Sequence, residues 1–510
     1  MRLKTLNFDT TQPLKWERFN LYSLFVRRLT IRPDEYQYAE TIVSTLALWR
    51  VSSSLLPNLQ ELIVKSGRGG TYNYPFDFAS LFLSESLKAL RISFKKDEEN
   101  VQFEESDIQS LAAFTDALPK RCHALRTICF CVEDGRERCA IYLSNAYFAW
   151  LKGRLSDLLL SLNSLETIIL CPKFMDPELL LAISSLRSVR CMKLCCTQHY
   201  LCETPEVSGA SRRSFKKLEN NGTGLASLEE LTLSSDFSIA TEFLTAFTLP
   251  HWHLTSLAIK SQHIVEQLDC LQSLVLTIGQ NFPRLRHLDL VGLKLNDSAS
   301  AGADKEPYLD LGTFRPLSLL VNLRNLSISI PHQTRLFLHE FEHLVSHWPL
   351  LEELRLDSDF QGPYLTPHVL QSLAQYCPSL RILIMNVDWD KLDYNAQMGV
   401  DMISDIRHGF MNLNRVDFSL SPVKESQSAS IVVFLVDLSI SSSAIQIPGV
   451  IGEPWSAYRY KEPYATWMEI KKLMTIAGHY RNQNRCLRDE LLTAKGVKGT
   501  NNRSLANSPS

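Results

Sequence analysis

The chain has 510 residues, 45% of them hydrophobic and 21% charged, so a large apolar core can be buried. Lys and Arg total 53 against 55 Asp and Glu, a formal charge of -2, which excludes a general phosphate binder with a strong basic excess and hence a nucleic-acid protein of the usual kind. The opening MRLKTLNFDTTQPLKW has no apolar signal-peptide core, and the longest apolar stretch, Ile431 to Ile440, is short and interrupted by Asp437, so no membrane helix is expected.

One pattern recurs along the chain: apolar, two variable, apolar, one variable, apolar. Faint copies come first, at Leu3-x-x-Leu6-x-Phe8 and Val26-x-x-Leu29-x-Ile31. Clear ones follow at Leu59, Leu87, Leu125 and Leu165, then a looser one at Val189. The series continues from Leu228, Leu254, Leu285, Leu323, Leu351, Leu380 and Leu413, with a last doubtful copy at Leu435-x-x-Leu438-x-Ile440. About fourteen such hexapeptides in one chain are the signature of a solenoid. Within each, apolar and variable positions alternate, which predicts a strand with one buried face. Their separation of roughly 22 to 40 residues leaves room for a crossover connection between parallel strands. Ile108 to Leu118 and Leu336 to Val345 carry the three- and four-residue apolar spacing of such connecting helices. Leu56-Pro57, Phe282-Pro283, Trp348-Pro349 and Cys377-Pro378 precede strands, where proline stops an incoming helix.

The polar stretches Lys95 to Ser106, Glu203 to Ser227 and Asp297 to Pro307 read as loops, the second with a basic cluster at Arg212, Arg213, Lys216 and Lys217. Beyond the repeats, residues 446–492 are expected to form an aromatic, proline-bearing strap and a capping helix, and 493–510 a disordered tail. That helix, Thr466 to Leu492, places Trp467, Ile470, Leu473, Met474, Ala477 and Tyr480 on one face, with Lys471, Lys472, Arg481, Arg485 and Arg488 opposite.

The segments LPNLQELIV, FPRLRHLDL, WPLLEELRL and CPSLRILIM resemble leucine-rich repeats, and their irregular spacing is most similar to that of fungal F-box leucine-rich-repeat proteins. The likeness covers roughly residues 1–445. It implies an α/β leucine-rich-repeat solenoid, a horseshoe or arc with parallel strands on the concave face and helices or loops on the convex one. It further implies the substrate-receptor part of a ubiquitin ligase. Two departures stand out: the Asn that follows the strand in regular repeats is mostly missing, and no F-box is visible ahead of the first hexapeptide. A ubiquitin-ligase linker subunit is therefore an expected partner only if an F-box is missing from this chain, and a scaffold with no ligase link is the alternative.

Side chains alternate along a strand, so the residues flanking the two inner apolar positions should line the concave face. They are His287, Asp289 and Val291 in one repeat, Glu353, Arg355 and Asp357 in another, and Arg415, Asp417 and Ser419 in a third. Nearer the start they are Arg28, Thr30 and Arg32, then Glu61, Ile63 and Lys65. This mixed-charge row suits a protein or peptide partner.

The same register predicts an exposed line of thiols at Cys131, Cys171 and Cys195, flanked by Cys129 and Cys191. Zinc binding and redox sensing are the sharp readings of that line, and packing of small hydrophobes is the plainer and preferred one. No CxxC pair frames a compact metal site, and no cofactor is expected. Twelve cysteines without a secretion signal fit reduced thiols in a cytoplasmic or nuclear protein.

Catalytic motifs are nearly absent. There is no GxSxG elbow, and Gly67-Arg68-Gly69-Gly70 lacks the Lys-Ser/Thr of a phosphate loop. His339-Glu340-Phe341-Glu342-His343 satisfies the HExxH string of zinc proteases, but that chemistry also needs a third ligand and an open cleft. A non-catalytic protein is expected.

Overall fold

The hexapeptides become strands. A computed structural model describes residues 21–31, 55–65, 75–95, 105–133, 145–171, 177–194, 225–246, 253–261, 268–292, 308–330, 333–357, 365–392, 409–418, 421, 423–446 and 461–494. Its strands are β1 (Arg28–Ile31), β2 (Glu61–Lys65), β3 (Ala89–Lys95), β4 (Thr127–Glu133), β5 (Thr167–Leu170), β6 (Cys191–Leu194), β7 (Glu230–Ser234), β8 (Ser256–Ser261), β9 (His287–Gly292), β10 (Tyr308–Leu309), β11 (Asn325–Ser329), β12 (Gln333–Thr334), β13 (Glu353–Asp357), β14 (Ile382–Met385) and β15 (Arg415–Asp417). The helices are α1 (Pro75–Ser80), α2 (Glu105–Arg121), α3 (Asn145–Ser161), α4 (Pro177–Ser184), α5 (Phe237–Ala246), α6 (Leu268–Asn281), α7 (Leu311–Phe314), α8 (Leu338–Val345), α9 (Val369–Tyr376), α10 (Ser428–Asp437) and α11 (Lys461–Ala494).

The chain divides into two compact units, residues 1–305 with 312–331, and residues 306–311 with 332–510. In the first, β1 to β9 and then β11 pair in sequence order, every pair parallel. In the second, β13, β14 and β15 pair in the same way, and β10 lies beside β12. Among the described residues parallel strands alternate with helical returns, as between β3 and β6 and between β7 and β9, which is the α/β leucine-rich-repeat solenoid that the spacing predicts.

Register follows the leucines. Leu62 stands beside Leu90, Leu90 beside Ile128, and Leu231 beside Leu257. These side chains are almost wholly buried, and so is the third apolar residue of every described hexapeptide except the partly exposed Leu356. The helices close the other side of the core: α6 buries Leu271, Leu274, Val275 and Ile278 at three- and four-residue spacing. With roughly 1.5–3 kcal/mol for each apolar side chain fully buried, the ladder within each unit supplies most of its stabilisation.

Three backbone and side-chain devices join one coil to the next. First, the N–H of the leading apolar residue bonds the carbonyl three residues back, as in Leu59 to Leu56 at 3.1 Å, Leu285 to Phe282 at 3.0 Å and Leu380 to Cys377 at 3.1 Å. Proline at 57, 283 and 378 therefore sits second in a β-turn, where its fixed φ is favourable. Secondly, the residue just before the leading apolar position reaches back to the preceding coil. Asn58 Nδ2 donates to Leu24 O at 2.9 Å, Ser188 Oγ to Leu165 O at 2.6 Å, Asn322 Nδ2 to Pro283 O at 3.3 Å and Asn412 Nδ2 to Pro378 O at 3.0 Å. Thirdly, the carbonyl just before a strand accepts two N–H groups from the next coil. Arg190 O takes those of Glu229 and Glu230 at 2.8 and 2.9 Å, and Arg286 O those of Arg324 and Asn325 at the same two distances.

One expected strand is corrected. Leu435-x-x-Leu438-x-Ile440 is not a hexapeptide strand, because α10 runs through Asp437 and buries Ile431, Val432, Phe434 and Leu435. Ile445 instead makes a parallel bridge to Val416 of β15. Helix α11 packs on this end through Trp467, Ile470 and Met474, all buried. Trp467 stacks on Phe418 with ring centroids 5.2 Å apart, and Lys471 Nζ donates to Ile445 O at 2.8 Å. Tyr480, expected on the same apolar face, is 63% exposed, because α11 has by then left the body it packs on. The hexapeptide at Leu3, the 447–460 strap, the glycine run at Gly67 and the Arg212 basic cluster lie outside the described residues.

Candidate concave recognition face

Between the buried leucines, each strand turns its other side chains to the opposite face of the sheet. On β9, His287 is exposed and Asp289 partly exposed. On β13, Glu353 and Arg355 form an ion pair, with side-chain exposures of 18% and 42%. Asp357 ends that strand, and its side chain lies outside the described set. On β15, Arg415 and Asp417 are both partly exposed, and Arg415 keeps a buried Nε that has no hydrogen-bond partner. His287 and Asp289 belong to the first unit and the other five to the second. In the first coils Arg28 pairs with Glu61 at 3.1 Å. Ile63, expected on the exposed row, is instead buried at 4% exposure, as suits an apolar side chain flanked by neighbours on both adjoining strands.

The predicted thiol line needs a larger correction. Cys131 and Cys171 occupy the register expected of them, but both are fully buried, and so is Cys129. Cys195 lies outside the described residues. Position, not sulfur, causes the burial: Ser93 and Ser234 stand at the same place in their coils and are buried too. Only small side chains occur at these enclosed places. Cys131 Sγ lies 3.6 Å from both Ser93 Oγ and Cys129 Sγ and 3.8 Å from Ile92 O, contacts suited to a small apolar residue with a weak donor. Among the described residues, no group of three or more His, Cys, Asp or Glu side chains is placed to hold a metal ion. Elsewhere, burial pushes the Cys122 thiol up to about 11 and that of Cys377 up to about 12. Thiols so far from ionisation at neutral pH are poor nucleophiles.

The HExxH string lies on α8, and its carboxylates serve the fold. Glu340 Oε2 accepts from the Phe337 N–H at 2.8 Å, closing the helix N-terminus. Glu342 Oε1 accepts from Ser372 Oγ at 3.0 Å, tying α8 to α9. His339 stacks on Phe337, while His343 meets His347 edge-on with centroids 4.9 Å apart. The proteolytic arrangement would need Glu340 free to activate water, and here it is engaged as a cap.

Sequence reasoning missed the strand-start rim. At the residue just before each strand, Arg126 pairs with Glu166 at 3.3 Å and Arg190 with Glu229 at 3.7 Å. At the following coils the rim residues are Thr255, Arg286 and Arg324, and Arg284 Nη1 lies 2.7 Å from His253 Nδ1. The signal was available as one fixed position per hexapeptide, but that position lies outside the alternating strand on which the reading concentrated.

The sequence matches no protein-family model and no curated relative. Among solved structures it is similar to the leucine-rich repeat-containing protein LegL7 from Legionella pneumophila, at 13% identity over 74% of this chain and 97% of that one, with a TM-score of 0.33. No described helix is long and apolar enough to cross a membrane.

Proposed function

We propose that this protein is a non-catalytic recognition module that binds another protein on the exposed face of its parallel strands. One observation carries the reading: buried apolar residues such as Leu288, Leu354 and Val416 alternate, on the same strands, with partly exposed polar residues such as Asp289, Arg355 and Asp417. Within each unit a stacked array fixes such residues in rows roughly 4.8 Å apart, a preorganised platform that costs little ordering entropy on binding. The engagement of Glu340 and Glu342 in the fold favours binding over catalysis.

The finer reading is the substrate-receptor part of an F-box ubiquitin ligase, supported by the resemblance of the LPNLQELIV, FPRLRHLDL, WPLLEELRL and CPSLRILIM segments. A cytoplasmic or nuclear setting goes with it. Affinity purification of the full chain, read by mass spectrometry, tests both levels. Partners should be recovered with the wild type and with Gln280→Lys on exposed α6, and lost with Asp289→Lys combined with Arg355→Glu. Equal recovery with all three proteins defeats the recognition face. Partners recovered without a cullin or its linker subunit defeat the ligase reading and leave a plain interaction scaffold.

A further inference from the structure

The HExxH string sets His339 and His343 four residues apart on α8, and the same spacing runs on to His347, just past the end of that helix. The structure separates the three rings. His339 lies on Phe337, with ring centroids 5.9 Å apart. His343 and His347 meet instead, with centroids 4.9 Å apart. The rings that come together are therefore one turn beyond those that the string pairs, while Glu340 is held at the other end of the helix as its cap.

Hydrogen bonding fixes which ring nitrogens are open. His347 Nδ1 lies 2.7 Å from His343 O. A carbonyl only accepts, so Nδ1 carries the ring proton and Nε2 keeps its lone pair. A backbone carbonyl on the far nitrogen is also the usual means of orienting an imidazole towards a metal ion. Ser346 Oγ donates to the same carbonyl at 2.8 Å and lies 3.4 Å from His347 Nδ1. Among the described residues no group bonds His347 Nε2 or either ring nitrogen of His343. His343 is exposed and His347 half-buried, so an ion can reach both from solvent.

The ring separation suits a chelate. Metal–imidazole bonds of about 2.0–2.1 Å, set roughly 90–109° apart, put two ring centres on one ion about 4.5–5.2 Å from each other. The observed 4.9 Å falls within that span. Both rings also lie at the C-terminal end of α8, where the helix dipole favours a cation.

We infer that His343 and His347 chelate one divalent late-transition ion, copper(II) or zinc, through His347 Nε2 and a ring nitrogen of His343. Imidazole is a donor that such ions take readily, whereas magnesium and calcium take oxygen. Two protein donors are fewer than the three or more of a closed site, so water fills the remaining positions. Glu340 and Glu342 are engaged in the fold, which makes this a site that binds an ion with no free base beside it.

The test uses the full chain without an affinity tag, stripped with a chelator and then titrated by calorimetry with copper(II), zinc or magnesium chloride. Wild type should take up a saturable equivalent of copper(II) or zinc and none of magnesium, and the copper signal in electron paramagnetic resonance should show nitrogen donors. His343→Ala and His347→Ala should each weaken that equivalent by at least about ten-fold, while His339→Ala leaves it unchanged. The pair His343→Gln with His347→Gln, checked for an unaltered circular dichroism spectrum, should show the same loss if an alanine variant fails to fold. Absence of a saturable equivalent overturns the proposal, as does its full retention in the glutamine pair or equal uptake of magnesium. Loss with His339→Ala but not with His347→Ala also overturns it, because the ligands would then be the two histidines of the HExxH string.

Discussion

In the coils of β4, β5 and β7 the residue after the third apolar position is Cys131, Cys171 or Ser234, and each is enclosed; in those of β8, β9 and β11 it is Lys260, Val291 or Ser329, and each is partly exposed. The rim differs in step. Arg126 and Arg190 pair with Glu166 and Glu229 within the first group, whereas in the second Arg284 meets His253 across the coils. Beneath both lies the same leucine ladder in the same register. Stacking constrains the inside of a coil and leaves its outside to be set by whatever it meets.

The shared interior predicts the largest effects. Leu170→Ala on β5 and Leu290→Ala on β9 should each cost about 2–5 kcal/mol, seen as similar falls in the urea midpoint; a large loss at one site and little at the other would show that the two interiors differ as well. The outer position should separate the groups. Cys131→Leu is expected to lose about 1–3 kcal/mol by overpacking, and Ser329→Leu to stay within about 0.5 kcal/mol as a surface change. Comparable thermal shifts for both would remove the contrast. A smaller difference belongs to the reach-back side chains. Ser188→Ala, which frees carbonyls of Asn163 and Leu165, should cost about 1 kcal/mol, and Asn322→Ala less, since its bond is single and 3.3 Å long. The smallest effect is electrostatic: Arg190→Gln should lose at most about 1 kcal/mol, and that only at low salt. A loss at Arg190 that resists salt would assign its contribution to packing and not to the pair with Glu229.

Periodicity made the interior legible, because burying a leucine at fixed intervals leaves a mark that survives variation elsewhere. Strand positions and the helical returns at α2 and α8 follow from it directly. Alternation also located Asp289 and Arg355, but it could not tell an open outer position from a closed one. Ile63, Cys131 and Cys171 were misplaced for that reason, since their burial depends on neighbours from other coils that no single hexapeptide contains. The apolar run at Leu435 satisfied the strand pattern and a helix equally well, and packing against α11 decided for the helix. The reach-back residues before the leading apolar positions are Asn in some coils and Ser in others, while Ala124 and Leu350 stand at the same place elsewhere; no single residue type recurs, so they left no motif to find.

At each strand start, one carbonyl holds two amides of the following coil, as Arg190 does for Glu229 and Glu230. That joint is made of backbone atoms and is blind to the side chains it carries. An arginine, a threonine or a glutamate serves there equally, so substitutions at the rim can accumulate without loosening the stack. Evolution can thus rewrite the surface charge one coil at a time while inheriting the joint intact.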